Sequence, residues 1–177
     1  MRPVSPPGSI ADLDLWLLSR VYLGSAPAWL ASAAKGVTFL GSGWMLLIGS
    51  PLLAIRKLRP RIVWLLMAVA ATAVVVAGLK WGFGRVRPCN SLAWCNIPPG
   101  ATGGSLPSGH SAGSFAVATF LLALDRRWGI AALALATLIA LSRVALGVHW
   151  PTDVIAGGLI GGTIGWYVGS YARAYAA

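Results

Sequence analysis

The sequence is poor in acidic and charged side chains. It has no glutamate and only four acidic residues, against 14 lysines and arginines, which gives a formal net charge of +10. Charged residues make up 10% of the chain, well below the roughly 25% of typical soluble domains. Together with a mean hydropathy of +0.75, this composition excludes an ordinary soluble domain and indicates an integral membrane protein.

A basic chain with few acids often binds nucleic acid, but here the cations flank long uncharged runs. Anionic lipid headgroups and the bilayer are therefore the expected partners, and nucleic acid is not. No obligate protein partner is evident from the sequence. The length allows one membrane-embedded domain over 1–177, with 1–35 as a tail and interfacial helix and 36–177 as a transmembrane bundle. The first twenty residues contain three prolines and no clean apolar core, so no signal peptide is expected.

A short helix is predicted to begin at Ser9. This serine suits an N-cap, and Asp12 three residues later resembles a capping box with Asp in place of Glu. Apolar residues recur at helical spacing, at Ile10, Leu13, Leu17 and Val21. The segment is too short and too charged to cross a bilayer. We therefore expect an interfacial amphipathic helix, with Asp12 and Asp14 away from its apolar stripe.

Five later runs are apolar enough to cross a membrane. At 1.5 Å per residue, about 20 helical residues cover a hydrocarbon core of about 30 Å. The predicted spans are about 36–55, 62–79, 108–124, 128–142 and 151–172. The expected fold class is therefore all-α, a polytopic transmembrane helix bundle of about five spans preceded by the interfacial helix.

The distribution of basic residues predicts the orientation. The short loops at 56–61 and 125–127 carry six Lys or Arg in nine residues, whereas 80–107 carries three in 28. The positive-inside rule places the short basic loops in the cytoplasm. We therefore expect a multi-pass protein of the cell (inner) membrane, with 80–107 on the periplasmic or extracellular face.

Histidine is scarce too, and both histidines, His110 and His149, fall on this outward-facing side. His149 precedes Asp153 by four residues, so on a helix that begins near Pro151 the two side chains share one face. A neutral imidazole held by a carboxylate can act as a nucleophile or a base, and Arg143 nearby can bind an anion. A capping arrangement between two helices is the alternative.

Further polar residues fall at the ends of the predicted spans on the same side. Four cations have a single acid near them: Lys80, Arg85, Arg87 and Arg143. They need an anion, and a phosphate fits. Ser108 suits an N-cap, and Gly109 lets backbone N–H groups approach a phosphate at a helix start. A plain helix cap and snorkelling cations are the alternatives. Neither a metal site nor a cofactor is expected among these cations.

The two cysteines, Cys89 and Cys95, lie in one polar loop. In a reducing compartment they would be idle thiols. If the loop faces outward, a disulfide that closes this short loop is expected.

Three motifs together resemble the signature of a known family. They read Lys80-x6-Arg87-Pro88, then Pro107-Ser108-Gly109-His110, then Ser142-Arg143-x5-His149-x3-Asp153. Complete and in order at the ends of successive spans, they resemble the type 2 phosphatidic acid phosphatase superfamily, which includes bacterial membrane lipid phosphate and diphosphate phosphatases. The Gly41-Ser42 pair and the leading helix are also similar to family members. Many relatives have six spans and lack the cysteine-bearing loop, so this chain departs from them in two respects.

The resemblance implies a role for each motif residue. His149 would attack phosphorus and form a phosphohistidine, Asp153 would hold its ring, and His110 would protonate the leaving group and then activate water. The other motif residues would hold the phosphoryl oxygens: Lys80, Arg87, Ser108, Gly109 and Arg143. No metal or other cofactor is implied.

The implied function is metal-independent hydrolysis of a phosphomonoester or diphosphate on a membrane lipid. The substrate would be a polyprenyl phosphate or a phospholipid: an isoprenoid diphosphate, phosphatidylglycerophosphate, phosphatidic acid or a lipid A phosphate. Arg85 would favour a diphosphate by holding a second phosphate. The alternative is a lipid phosphotransferase that uses the same phosphoenzyme. A non-enzymatic membrane protein, such as a small channel, would not need complete motifs, and a vanadate-dependent oxidase would be a larger soluble chain.

Overall fold

The computed structural model describes residues 8–42, 54–56, 58–95 and 103–175, and this part of the chain is helical and contains no strand. Its helices are α1 (Ile10–Val21), α2 (Ala28–Leu40), α3 (Arg59–Phe83), α4 (Pro88–Ser91), α5 (Gly109–Leu124), α6 (Arg126–Ala145) and α7 (Pro151–Tyr175). The predicted all-α class is confirmed.

The helix starts follow local sequence signals. The Ser9 hydroxyl accepts a hydrogen bond from Asp12 N at 3.2 Å and donates to the Asp12 carboxylate at 2.8 Å. Ser108 caps α5 by accepting from the backbone N–H of Ser111, and α7 begins at Pro151, a favoured first helical residue. Side-chain caps of this kind satisfy N–H groups that a helix start leaves without partners.

The centre of the bundle is the contact between α5 and α7. Four buried glycines recur every fourth residue along α7: Gly157, Gly161, Gly165 and Gly169. A Cβ on Gly161 would lie 1.8 Å from the Ala112 carbonyl oxygen, and one on Gly165 would lie 2.1 Å from the carbonyl oxygen of Ala116. Because no side chain separates them, the two backbones touch along several turns, as small residues permit between membrane helices.

The outward faces of the helices are strongly apolar. Trp81 is 90% exposed and Val74 is 72% exposed, which is costly in water but suited to lipid. Two helical stretches within the described ranges are long and apolar enough to cross a membrane, Arg59–Ser91 and Arg126–Ala145, and α5 is a shorter apolar helix. These features are those of a membrane protein, and the count of five spans stays a prediction.

The observed helices shift several predicted boundaries. α2 begins at Ala28, eight residues before the predicted span 36–55, and ends at Leu40. Residues 43–53 of that span lie outside the described residues. α3 continues to Phe83 and α6 to Ala145, so Lys80 and Arg143 lie in the last turns of helices rather than in loops. Both cations are thereby held on rigid elements.

Asp14 lies away from the apolar stripe of α1, on the side of the helix that faces the bundle, and is 1% exposed. The apolar stripe faces outward, with Ile10 72% exposed. Leu23 N, just after α1, donates to the carbonyl oxygen of Ala145 at 2.9 Å. The leading helix is thus attached to the bundle through a polar contact, while its interfacial position stays a prediction.

We expect Gly161→Ala to destabilise the protein and Gly162→Ala to be tolerated. A Cβ on Gly161 would overlap the α5 backbone, whereas one on Gly162 would meet only the Thr119 methyl carbon, at 3.7 Å. Overpacking costs about 1–3 kcal/mol, so thermal unfolding of Gly161→Ala in detergent should occur roughly 5 °C below that of the wild type. Equal melting temperatures for the two variants would contradict the backbone contact.

Candidate active site

The residues of the three motifs meet at one end of the bundle, where α3 and α6 end and α5 and α7 begin. The ionisable groups among them are close enough to interact electrostatically: Lys80, Arg87, His110, Arg143, His149 and Asp153. The structure therefore brings both imidazoles to the same end of the bundle. The main-chain hydrogen bond from Ser108 N to the Asp153 carbonyl, at 2.9 Å, joins the starts of α5 and α7 there.

His149 is buried between a carboxylate and a guanidinium. It is 2% exposed, and its Nδ1 lies 3.5 Å from Asp153 Oδ2 and 3.4 Å from the Ser105 hydroxyl. On the opposite side of the ring, Nε2 lies 3.2 Å from Arg87 Nη1. Burial lowers the pKa of His149 to about 4; the hydrogen bond to Asp153 opposes this shift, and the charge of Arg87 adds to it.

These contacts select one tautomer of His149. A guanidinium carries only N–H donors, so Nε2 must accept from Arg87 and cannot carry a proton. The ring proton then resides on Nδ1, facing the carboxylate. A neutral imidazole whose Nε2 carries a lone pair rather than a proton is the form of histidine that can attack an anionic phosphoryl group.

Asp153 has donors at both carboxylate oxygens. Oδ2 accepts a short hydrogen bond from the Ser105 hydroxyl and another from the backbone N–H of Trp150 at 2.9 Å. Oδ1 accepts from Arg85 Nη1 at 2.6 Å. With the side chain 0% exposed, these contacts hold the carboxylate in one orientation beside His149.

Lys80 and Arg87 are held by the loop that precedes α5. Lys80 Nζ donates to the Gly104 carbonyl at 2.6 Å, and Arg87 Nε donates to that of Gly103 at 3.2 Å. Arg87 Nη1 also donates to the carbonyl oxygen of Val148 at 2.9 Å, next to His149. Backbone carbonyls, which carry no net charge, therefore help to fix both cations.

Arg143 has an uncommitted donor. Its Nη1 donates to the hydroxyl of Thr38, in α2, at 2.9 Å. Its Nε is buried and has no hydrogen-bond partner among the residues that the structure describes. A buried N–H without a partner costs about 1–3 kcal/mol. An anion that accepts a hydrogen bond from this Nε would remove that cost.

Ser108 and Gly109 occupy the first turn of α5. The Ser108 hydroxyl is buried and accepts from Ser111 N at 3.4 Å and from the Ser111 hydroxyl at 3.0 Å. A Cβ on Gly109 would meet only Val76 Cγ1, at 3.8 Å, so packing does not require a glycine at this position. Ser108 thus acts as the expected cap, and the space beside Gly109 is open to a ligand.

The cysteine loop lies against the turn that carries His149. Cys89 and Cys95 are joined by a disulfide, and a Cβ on Gly147 would lie 2.5 Å from Cys95 Sγ and 2.6 Å from Cys89 Sγ. Gly147 has φ +70, a region that favours glycine. The disulfide thereby braces the segments of Arg87 and His149 against each other.

Four residues of this site escaped the sequence reasoning: Asp14, Thr38, Ser105 and Thr152. None belongs to the three motifs, and their contacts cross long stretches of chain. The position of Ser105 gave one usable hint, because it lies in the short Gly-rich segment leading into Pro107. The structure places a second acid, Asp14, beside the cations, where the sequence predicted Asp153 alone. Arg85, expected at a second phosphate, forms ion pairs with Asp14 and Asp153 instead, each at 2.6 Å.

A family model described as the PAP2 superfamily matches residues 61–175. The chain is 32% identical over 160 residues to the Escherichia coli protein named "Putative undecaprenyl-diphosphatase YbjG", covering 82% of this chain and 75% of that protein. The chain belongs to the PAP2 superfamily. The resemblance drawn from the three motifs is confirmed, and so is the prediction of a phosphatase of this superfamily.

Two solved structures share the fold. The crystal structure of Aquifex aeolicus LpxE superposes with a TM-score of 0.77 at 30% identity, covering 88% of this chain and 94% of that one. A transmembrane PAP2-type phosphatidylglycerolphosphate phosphatase from Bacillus subtilis superposes with a TM-score of 0.78 at 26% identity, covering 93% of this chain and 87% of that one. The helical arrangement is therefore that of transmembrane PAP2 phosphatases.

We expect His149 to remain neutral, with its proton on Nδ1, down to about pH 5. The pKa of His149 is about 4 in the folded protein, below the value of about 6.5 expected in the unfolded chain. Between these two pH values the unfolded chain binds the proton and the folded protein does not, so the free energy of unfolding decreases as pH falls from about 6.5 towards 4. Uniform ¹⁵N-histidine labelling gives only two imidazoles, and His149→Asn assigns their signals. A titration midpoint of His149 between 6 and 7, or a proton on Nε2, would contradict the assigned tautomer.

Proposed function

We propose that this protein hydrolyses a phosphomonoester or diphosphate on a membrane lipid without a metal ion, through a phosphohistidine at His149. The observation that carries the proposal is the environment of that ring. Its Nε2 accepts from Arg87 Nη1 at 3.2 Å, and its Nδ1 faces the carboxylate of Asp153 at 3.5 Å. The nucleophilic atom thus points at a cation, and the carboxylate stabilises the positive charge that the ring acquires on attack.

The cations supply the electrostatic part of the mechanism. Lys80, Arg87 and Arg143 surround the imidazoles and would bind the phosphoryl oxygens, whose charge spreads in the transition state. The Nε of Arg143 is buried and has no hydrogen-bond partner in the described part of the chain, which supports an anionic ligand here. The Gly109 backbone and the Ser108 hydroxyl would complete the phosphate site at the start of α5. No three His, Cys, Asp or Glu side chains cluster in the described ranges.

His110 is the proposed general acid and base. It lies in the first turn of α5 and interacts electrostatically with His149 and Arg143. α2 ends against it, because a Cβ on Gly41 would lie 3.5 Å from His110 Cδ2 and 2.6 Å from Ile139 Cγ2. In the first step His110 would protonate the leaving oxygen as the P–O bond breaks. In the second it would take a proton from the water that attacks the phosphohistidine.

The route for a lipid is a groove of about 840 Å³ between α5, α6 and α7. It is lined mainly by apolar side chains and extends from Val154, next to Asp153, to Trp166 and Tyr167 near the other end of α7. The histidines and cations of the site do not line this groove, so it is assigned to the hydrocarbon chain of the substrate, which would remain in contact with the bilayer. This geometry favours a lipid over a small soluble phosphate ester.

The substrate classes follow from the relatives. Those named include undecaprenyl-diphosphatases, lipid A phosphatases and a phosphatidylglycerolphosphate phosphatase. The chain spans 75% of the Escherichia coli relative but 52% of the one from Sulfolobus acidocaldarius and 20–41% of the lipid A phosphatases. We propose a multi-pass protein of the cell (inner) membrane, with about five spans and the site on its outer face. Its substrate is a polyprenyl phosphate or a phospholipid.

His149→Asn should abolish phosphate release, by more than about 10³-fold in kcat, because the nucleophile is removed. Brief reaction with a ³²P-labelled lipid phosphate should label the wild type on histidine and leave the variant unlabelled. Excess EDTA should leave turnover unchanged, and chelator-sensitive activity would contradict the metal-free route. Analysis of the reaction products distinguishes hydrolysis from the alternative function. A phosphatase releases inorganic phosphate, whereas a lipid phosphotransferase would form a new phosphoester.

Gly109→Ala should lower kcat/KM by roughly 10- to 100-fold, since the added methyl group enters the space assigned to the phosphate. The matched control is Gly113→Ala in the next turn of α5, where a Cβ meets nothing within 4 Å. Both variants should fold, because alanine favours a helix over glycine. Equal activity in the two variants would remove Gly109 from the phosphate site.

A further inference from the structure

Asp14 is a buried acid that the proposed chemistry does not use. It lies on α1, about 140 residues before the histidine–aspartate pair, and is 1% exposed. Its Oδ1 accepts from the backbone N–H of Thr152 at 2.9 Å, and its Oδ2 accepts from the Thr152 hydroxyl at 2.6 Å. The second residue of α7 is therefore held by a side chain from the first helix.

The guanidinium of Arg85 connects this acid to Asp153. Its Nη2 donates to Asp14 Oδ2 and its Nη1 to Asp153 Oδ1, each at 2.6 Å, and Nη1 also lies 2.7 Å from the Thr152 hydroxyl. The carbonyl of Arg85 accepts from the N–H of Ser105 at 2.8 Å. Arg85 thus places two of the three donors that fix Asp153, its own guanidinium at Oδ1 and the Ser105 hydroxyl at Oδ2, while the Trp150 N–H is the third.

The charges of this group explain why two acids are needed. One guanidinium beside Asp153 alone would neutralise the carboxylate and weaken its attraction for the proton on His149 Nδ1. With Asp14 sharing the guanidinium, the group keeps a net negative charge next to the imidazole. That charge stabilises the positively charged ring of a phosphohistidine.

We propose that Asp14 and Arg85 are positioning residues of the active site, acting on His149 through Asp153, so that helix α1 completes the site. This inference rests on the proposed function, because it assigns these residues to the same histidine chemistry. It replaces the expectation that Arg85 holds a second phosphate. Neither residue touches the phosphoryl group; their effect is on the orientation and charge of the carboxylate.

The first test is Asp14→Asn, with Asp12→Asn as the matched control. The amide oxygen can still accept from Thr152 N, but the charge is lost. We expect kcat on a lipid phosphate to fall by roughly 10- to 100-fold while KM changes less than about twofold. Asp12 lies on the same helix, is exposed and bonds only to Ser9 among the contacts of the described residues, so its variant should retain full activity.

Two readouts separate positioning from a purely structural role. In ¹⁵N-histidine spectra, Asp14→Asn should shift the His149 signals, whereas a structural contact would lower the melting temperature and leave them unchanged. In an Asp153→Asn background, Asp14→Asn should cause little further loss of kcat, because its effect passes through that carboxylate. Additive losses, or unchanged kcat and His149 signals in the single variant, would overturn the proposal.

Arg85→Lys provides a second route if Asp14→Asn fails to fold. A lysine keeps the charge but cannot hold two carboxylates with one planar fork, so kcat should fall equally on a lipid monophosphate and a lipid diphosphate. A loss confined to the diphosphate would show that Arg85 binds a second phosphate and would overturn the inference. If His149→Asn is inactive while both variants match the wild type, only this inference fails; an active His149→Asn refutes the proposed function itself.

Discussion

Ser108 N donates to the carbonyl oxygen of Asp153 at 2.9 Å, and this main-chain hydrogen bond joins the two helix starts that carry the reactive groups. It can form because the glycines of α7 bring its backbone into contact with that of α5. His110, in the first turn of α5, and His149, in the turn just before α7, are therefore held close to each other by this contact. The geometry of the reactive groups therefore depends on the close contact between α5 and α7, which the glycines of α7 make possible.

Features of the site that depend on residues within one short segment could be predicted from the sequence. The four-residue interval from His149 to Asp153, the cap at Ser108 and the start of α7 at Pro151 all follow from local rules. The helix class follows from long apolar runs. Boundaries were less predictable, because α3 and α6 continue beyond the uncharged runs and carry Lys80 and Arg143 in their last turns.

What could not be predicted are the contacts between distant parts of the chain. Asp14 meets Thr152 across 138 residues and Arg85 across 71, and no periodicity or local propensity encodes such a pairing. The periodicity of α1 places Asp12 and Asp14 away from its apolar stripe but does not tell which of the two is buried. In the structure Asp12 lies outside and caps the helix, whereas Asp14 is buried and pairs with the half-buried Arg85, which also pairs with Asp153.

The charge balance of the site follows from these pairings. Arg85 pairs with two carboxylates. Lys80 and Arg87 donate to backbone carbonyl oxygens and Arg143 donates to a hydroxyl, and these acceptors carry no net charge. One arginine thus serves the acid beside the histidine, and three further cations at the site can attract an anion. Their positive charge lies at the end of helices whose outer faces are apolar, so an anion that carries a hydrocarbon chain satisfies both environments at once.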